Sequence, residues 1–416
     1  MTNEAQQPNV VDTLAARGYL AQSTDLEAVR EMLSKPGVRF YIGFDPTADS
    51  LHVGHFIQMM ILAHLQRAGH VPIALLGGGT GMIGDPSGRS DLRTVMTRET
   101  VQNNVNRFRK QMSILVDFSP GKAFIVDNAD WLLNLNYVDF LRDVGAHFSV
   151  NRMLTAEAYK IRMESGLTFL EFNYMIMQAY DFYRLYLDYD CKLQLGGNDQ
   201  WSNIIAGVEL IRRKTGKNDA QGLTTNLLLN SEGNKMGKTA RGAVWLDEEK
   251  FSVYDFYQYW RNVADADVIN CLKLLTFVPL DEIEAYAALE DQAINEAKKR
   301  LALEITTIVH GEAKAKAAER QAIEIFEQGG RSDDMVTTEV TAEALAAGLS
   351  LLDILLETGL VPSKSEGRRM VQQGGVTVND TSISDVYYTL DAKDAPNGEI
   401  ILRRGKKKYH RLLIVE

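Results

Sequence analysis

His52 and His55 stand three residues apart in the stretch YIGFDPTADSLHVGH (Tyr41 to His55), and Lys235 and Lys238 stand three residues apart in NKMGKT (Asn234 to Thr239). Imidazole pairs at this spacing share one face of a helix, and a helix start adds unpaired backbone amides, so the first stretch suits an anion. A phosphate site is the expectation. The lysine pair, with Gly237 between and Gly233 and Gly242 flanking, offers cations on a loop free to close over phosphates. Two further polar clusters follow apolar runs: GGGTGMIGDPSGR (Gly77 to Arg89) and the GGNDQW block that ends at Trp201.

The elements that must position these residues read as alternating strands and helices. An apolar strand from Arg39 to Phe44 breaks at Asp45-Pro46, and helical periodicity runs from Val53 to Ala68 and stops at Gly69. A second strand, Val71 to Leu76, follows at once. Strand, helix and strand in about thirty residues is the signature of a parallel sheet. The pattern continues with a helix at 100–116, a strand at 123–126, helices at 137–145, 155–163 and 168–186, a strand at 192–195, a helix at 200–214 and a strand at 222–229. Residues 8 to 34 read as helical. The expected fold is α/β, a doubly wound parallel sheet (Rossmann-like) over residues 1–230. In such sheets ligands sit at the carboxyl ends of the strands. All four polar clusters fall there, and they enclose one pocket if the strands are neighbours.

From about Trp245 successive amphipathic helices predict a helical domain, 231–330 including the lysine loop. A linker at 331–348 and a small α+β module at 349–416 complete the chain. The helix expected from Ser363 to Gln373 carries Lys364, Arg368 and Arg369, and the tail carries Arg403, Arg404, Lys406 and Lys407. Phosphate contacts to RNA are the natural use of such a basic face.

With 416 residues, 45% hydrophobic and 24% charged, the chain supports two or three cored domains. Its net charge of −10 argues against non-specific coating of nucleic acid, the acidity lying in the body and not in the tail. Cys191 and Cys271 lie in apolar runs without paired spacing, which favours a reducing compartment and no structural metal. The N-terminus has no secretory pattern and no apolar run reaches about 18 residues, so a cytoplasmic protein without a membrane span is expected.

Taken singly, each block has an ordinary reading as surface histidines, turn glycines, solvated lysines or an amphipathic face. Their common order is the informative feature. An HxGH after a first strand and a KMxK[ST] loop about 180 residues later resemble the paired signatures of class I aminoacyl-tRNA synthetases. YxGFDPTADSLHxGH, GxTGxIGDPSG, YxxxQAYDF and GGxDQW narrow the resemblance to the bacterial tyrosyl-tRNA synthetases, from about residue 35 to the C-terminus.

The resemblance implies a tyrosine–tRNA ligase that forms tyrosyl-adenylate from ATP, with Mg2+ carried by the nucleotide, and then charges the terminal ribose of its tRNA. It implies catalytic roles for His52, His55, Lys235, Lys238 and Thr239. ATP contacts would come from Gly43, Asp45, Thr47, Gly54, Gly197, Asp199, Gln200 and Lys238. Tyr41 and Asp181 would meet the phenolic hydroxyl of tyrosine, and Tyr174, Gln178 and Asp85 its ammonium. A site that hydrogen-bonds a hydroxyl rejects the analogue lacking it, a rule for which the tyrosyl enzymes are the familiar illustration. The resemblance also implies a homodimer, an anticodon-binding role for the helical domain, and a C-terminal module like that of a ribosomal small-subunit protein.

Three positions depart from the family. Ile42 replaces a small polar or thiol residue, Arg89 stands for the lysine after GDPSG, and KMGKT has Gly237 for a serine. The rival readings are a non-catalytic RNA-binding protein, against which both signature pairs stand intact, and a tryptophanyl relative, which Tyr41 with Asp181 disfavours.

Overall fold

The computed structural model describes residues 9–87, 96–239, 242–289, 293–327, 336–379, 381–396, 398–405 and 408–415. They divide into two compact units, Met1–Lys316 and Ala317–Glu416.

The first unit is built on a six-stranded sheet. In chain order its strands are β1 (Leu20–Ser23), β2 (Arg39–Phe44), β3 (Val71–Leu76), β4 (Phe124–Asp127), β5 (Leu193–Gly197) and β6 (Gln221–Thr225), and in space they run β1-β6-β5-β2-β3-β4. Strands β2 to β6 are mutually parallel, with Ile42 facing Ala74 on one side and Leu195 on the other. The chain reverses direction of growth at β2, so the crevice beyond the carboxyl ends of β2 and β5 is the switch point of the sheet.

Residues 8–34, expected as helical throughout, contain helices Val10–Ala16 and Leu26–Met32 with β1 between them. The four residues LAQS alternate too briefly to show period two. They are held as an antiparallel edge strand by β6, Leu20 opposite Thr225 and Ser23 opposite Leu223. The strands β2 and β3 fall where the apolar runs predict them.

Long helices cover the sheet. Val53–Arg67 is largely buried and is capped at its start by a histidine. Phe169–Tyr189 starts with a Thr168–Glu171 capping box and ends at Asp190 in a left-handed conformation. Glu171 also receives the Arg162 guanidinium at 3.0 Å, both side chains being nearly inaccessible. Burial pushes the Glu171 carboxyl up, but Arg162 and the Thr168 amide and hydroxyl outweigh it and hold the group below its usual range.

Helices Val253–Arg261, Asp265–Leu275, Leu280–Ala287 and Ile294–His310 follow in the same unit. The N-terminal segment ties them to the sheet. Arg17 donates to the carbonyls of Lys273, Thr276 and Val278, and the Tyr19 hydroxyl donates to that of Leu274, which satisfies two of the last carbonyls of Asp265–Leu275 and two just beyond it. In NKMGKT, Lys238–Thr239 (β7) pairs with Gly242–Ala243 (β8), so the expected loop is a short hairpin.

The second unit carries a five-stranded sheet over a core that includes Leu351, Leu355, Val371, Val376, Ile400 and Leu412. Residues 337–346, within the segment expected as a linker, form a strand (Thr337–Thr341) parallel to Lys408–Val415 and a helix (Ala342–Ala346). The basic helix appears as Lys364–Gln372.

Arg162→Ala leaves the Glu171 carboxylate buried without its charge partner, so a loss of about 3–5 kcal/mol is expected. Equilibrium denaturation of the purified protein measures it, and a change under about 1 kcal/mol contradicts a pair that matters to folding.

Candidate active site

The four polar clusters converge. Tyr41 to His55, Gly77 to Ser87, Gly196 to Gln200 and Lys235 to Gly237 all line one cavity of about 610 Å³ at the carboxyl ends of β2, β3 and β5. The expected residues Tyr41, Gly43, Asp45, Thr47, His52, Gly54, His55, Asp85, Tyr174, Gln178, Asp181, Gly197, Asp199, Gln200 and Lys235 are all on its wall. The side chains of Lys238 and Thr239, and the whole of Arg89, lie outside the described residues.

One end of the cavity is the helix start. His52 is the N-cap of Val53–Arg67, its Nδ1 accepting from the Gly54 amide at 3.0 Å, while His55 Nδ1 accepts from the His52 amide at 3.2 Å. Both Nδ1 atoms act as acceptors, so the neutral rings carry their protons on Nε2. The rings lie 4.0 Å apart between centroids. A Cβ at Gly54 would come within 2.8 Å of the His52 ring, which is why this position carries no side chain.

The lysine hairpin lies directly against that start. His52 forms a bridge with Trp245, the Val53 amide donates to Val244 O at 3.0 Å, and the Leu246 amide donates to Leu51 O at 2.9 Å. Gly237, read from the sequence as a source of flexibility, has a second job: its φ is +86° and a Cβ there would lie 2.9 Å from the Val53 Cβ. Lys235 Nζ lies 3.6 Å from Asp199. Burial raises the Asp199 carboxyl from its ordinary range, and Lys235 opposes the shift.

The other end is a buried polar pocket. Asp181 is 1% exposed and accepts from Asn128 Nδ2 at 2.9 Å and from Trp131 Nε1 at 2.7 Å. Burial pushes its carboxyl up to about 8, against the two donors and helped by Asp45 and Asp127. The Tyr41 hydroxyl beside it is buried without a hydrogen-bond partner, and so is Gln194 Oε1. Burial, then Asp181, raise the Tyr41 phenol well above its ordinary range, so it stays a hydroxyl. An unpaired buried hydroxyl costs free energy that a ligand hydroxyl would recover.

Between the two ends, Tyr174 donates to Asp45 at 2.9 Å and Thr80 donates to the other Asp45 oxygen at 2.8 Å. Asp85 accepts from the Gln200 amide at 2.6 Å, joining residues expected on two different substrates. Ile42 is 1% exposed and reaches the cavity wall.

The sequence reading missed Asn128, Trp131 and Gln194. Asn128 and Trp131 follow β4, so the rule that ligands gather at strand ends would have flagged DNADW had it been applied to that strand. Gln194 sits inside an apolar strand and gave no signal. Among the described residues, no group of three or more His, Cys, Asp or Glu could hold a metal ion, and no helix is long and apolar enough to cross a membrane. Both cysteines are free and buried.

In the second unit the expected basic face is largely paired internally. Lys364 reaches Asp353, Arg369 reaches Glu366 at 2.7 Å, and Arg404 donates to Leu360 O at 2.8 Å and approaches the same Glu366 at 3.4 Å. Arg403 donates to Thr377 and stacks on Tyr409, whereas no ion pair of Arg368 is found among the described residues. Lys406 and Lys407 lie outside the described residues.

The family profile described as tRNA synthetases class I (W and Y) matches residues 34–327, and that of the tyrosine–tRNA ligase SYY-like C-terminal domain matches residues 312–412. The chain is 59% identical to a tyrosine–tRNA ligase of Acetivibrio thermocellus, over 98% of this chain and 100% of that one. It is 58% identical to one of Clostridium perfringens, over 98% and 99%. It superposes on the crystal structure of a C-terminally truncated mitochondrial tyrosyl-tRNA synthetase of Aspergillus nidulans with a TM-score of 0.68 and 29% identity, covering 78% of this chain and 96% of that one.

An Asp181 held protonated by burial makes the folded state bind more protons than the unfolded chain between about pH 4 and 8. Its contribution to stability is therefore present at low pH and is lost as pH rises through 8. Thermal midpoints of wild type and Asp181→Asn, compared from pH 5 to 9, should diverge in favour of the variant as pH rises; a constant difference would refute the shift.

Proposed function

The chain belongs to the class I tRNA synthetases, among the tyrosine–tRNA ligases, and from that premise we infer how its own residues activate tyrosine with ATP and pass it to tRNA. The enzyme is an ATP-dependent aminoacyl-tRNA ligase.

Activation joins a tyrosine carboxylate oxygen to the α-phosphorus of ATP while the bond from that phosphorus to the bridging oxygen breaks and pyrophosphate leaves. Both reactants are anions and no proton need move, so catalysis rests on positioning and on donors placed where charge builds. His52 and His55 offer Nε2–H donors at the helix start, and Lys235 and Lys238 offer ammonium groups from the hairpin. Thr239 adds a hydroxyl. Magnesium enters as part of the nucleotide substrate.

The phenol of tyrosine takes the buried end. Its hydroxyl would meet Asp181 and the unpaired Tyr41 hydroxyl, the single observation that carries the specificity reading. Phenylalanine would leave the Tyr41 hydroxyl unpaired and give the buried Asp181 no hydroxyl to meet. Asp85, Gln178 and Tyr174 take the ammonium. Adenosine takes the middle, with Gly43, Asp45, Thr47, Gly54, Gly197, Asp199 and Gln200 about it and Asp199 accepting from the ribose. At Ile42 only apolar contact is on offer, so ribose recognition leans on Asp199.

Arg368, with Lys364, Arg369 and the tail residues Arg403, Arg404, Lys406 and Lys407, makes the phosphate contacts to tRNA, and the helices after Trp245 approach its anticodon. The exposed apolar side chains Leu133, Tyr137, Val138, Leu141, Val150 and Phe169 support a homodimer through the helices Tyr137–Asp143 and Phe169–Tyr189. The cytoplasm, where its tRNA is used, is the compartment we assign.

Tyrosine-dependent exchange of labelled pyrophosphate into ATP tests the reading. Wild type should exchange with tyrosine and not with phenylalanine, and Lys238→Ala should slow exchange by about 10²-fold, the scale of losing one transition-state donor. No exchange by folded wild type would overturn it. Val138→Asp, a charge placed in a side chain 66% exposed, should leave the fold intact and halve the mass seen in sedimentation; a wild type that is already monomeric removes the dimer.

A further inference from the structure

The lysine hairpin has a second set of anchors, and they come from the helices that follow it. The Gly237 amide, between the two lysines, donates to the Tyr259 hydroxyl at 3.0 Å. The Gly237 carbonyl accepts from Val244 at 2.8 Å, so both backbone groups of this residue are committed. At the entry to the hairpin the Ser231 amide donates to Asp267 at 2.7 Å, and Met236 Sδ lies 3.8 Å from Cys271 Sγ. Tyr259 belongs to helix Val253–Arg261, and Asp267 and Cys271 belong to Asp265–Leu275.

The helix that carries Tyr259 is firmly seated. Phe256, Tyr257 and Trp260 are buried, and the Tyr259 ring stands edge-on to Trp260 at 4.9 Å. Tyr259 is absent from the cavity wall, so it has no route to tyrosine or ATP except through the hairpin. Gly237 leans on Val53 and Gly54, and a peptide with positive φ directs the residues on either side of it along fixed paths. Rotation of that peptide would redirect both lysines relative to the imidazole pair.

Resting on the reading of this cavity as the tyrosine-activating site, we propose that Tyr259 is a positioning residue for the reaction: its hydroxyl fixes the Gly237 peptide and so the register of the lysine hairpin over the histidine helix. The phosphates feel Tyr259 only through Lys235 and Lys238.

Tyr259→Phe removes one oxygen and keeps the ring. Loss of a single neutral hydrogen bond predicts a fall of about three- to tenfold in kcat for tyrosine-dependent pyrophosphate exchange, with KM for tyrosine unchanged. A double-mutant cycle with Lys235→Ala separates positioning from general damage. If Tyr259 acts through the hairpin, its substitution should cost distinctly less once Lys235 is gone. Equal cost in both backgrounds, or a kcat equal to wild type, overturns the inference. Asp267→Ala, at the other anchor, is carried through the same cycle should Tyr259→Phe melt below the assay temperature. Exchange by wild type is the control: its absence would overturn the assigned reaction, whereas an active wild type with an indifferent Tyr259→Phe would overturn this inference alone.

Discussion

The histidine and lysine motifs, separated by most of the first unit, are joined by backbone hydrogen bonds, and the rest of the site depends on that joint. Residues 244–246, just past the lysine hairpin, run beside residues 51–53, just before the histidine helix, through Val53 to Val244, Leu246 to Leu51 and the His52–Trp245 bridge. Backbone contacts of this kind tolerate little slippage, because a shift of one residue exchanges the faces of every side chain. Lys235 from the hairpin and the two histidines from the helix start are thereby held around one space. The sheet supplies the other coordinate, since β2 delivers Tyr41 at its inner end and the helix start a few residues later. Tyr41 and the two histidines thus come to one cavity from the two ends of one strand-loop-helix.

At the inner end the fold accepts a cost. Asp181 has two good donors in Asn128 and Trp131, yet burial and neighbouring carboxylates still lift it to about 8. Tyr41 and Gln194 add unpaired polar atoms to the same region. Ordinary cores avoid such groups, and each unpaired one costs roughly 1–3 kcal/mol. An unpaired hydroxyl beside a carboxyl lifted by burial, both on the wall of a cavity, is the arrangement expected where a polar ligand group binds and not where a core serves only stability. The Arg162–Glu171 pair shows the contrast: there both Glu171 oxygens are matched within the chain, and the network links two helices.

How much of this was legible follows from the range of the forces involved. Strands β2 and β3 and the helix between them were readable because a fully buried apolar run and a glycine stop are local signals. The grouping of Tyr41, Asp181, His52 and Lys235 was readable only from the order of blocks, since no periodicity places residue 181 beside residue 41. Strand β1 was not readable: four residues with exposed and half-buried side chains have no local preference, and β6 decides their state. Gln194 was hidden because a polar residue in a strand looks like noise until the strand is known to lie under a cavity. The hairpin at Lys238 was hidden by its length, two residues a side.

Charge in the C-terminal unit shows why composition alone overstates a binding face. Of the basic residues that the sequence marks there, Lys364, Arg369 and Arg404 have acidic partners in the unit itself, and Arg404 also caps the Leu360 carbonyl. Exposed pairs of this kind contribute about 0–1 kcal/mol and exchange partners readily, so Lys364 and Arg369 can be released to phosphate at little cost. Arg404 differs. It is three-quarters buried and holds the loop before the basic helix, and removing it would disturb that helix as well as its charge. Arg368 differs again: it is exposed and has no ion pair among the described residues, so on this helix its charge is the one least committed within the unit.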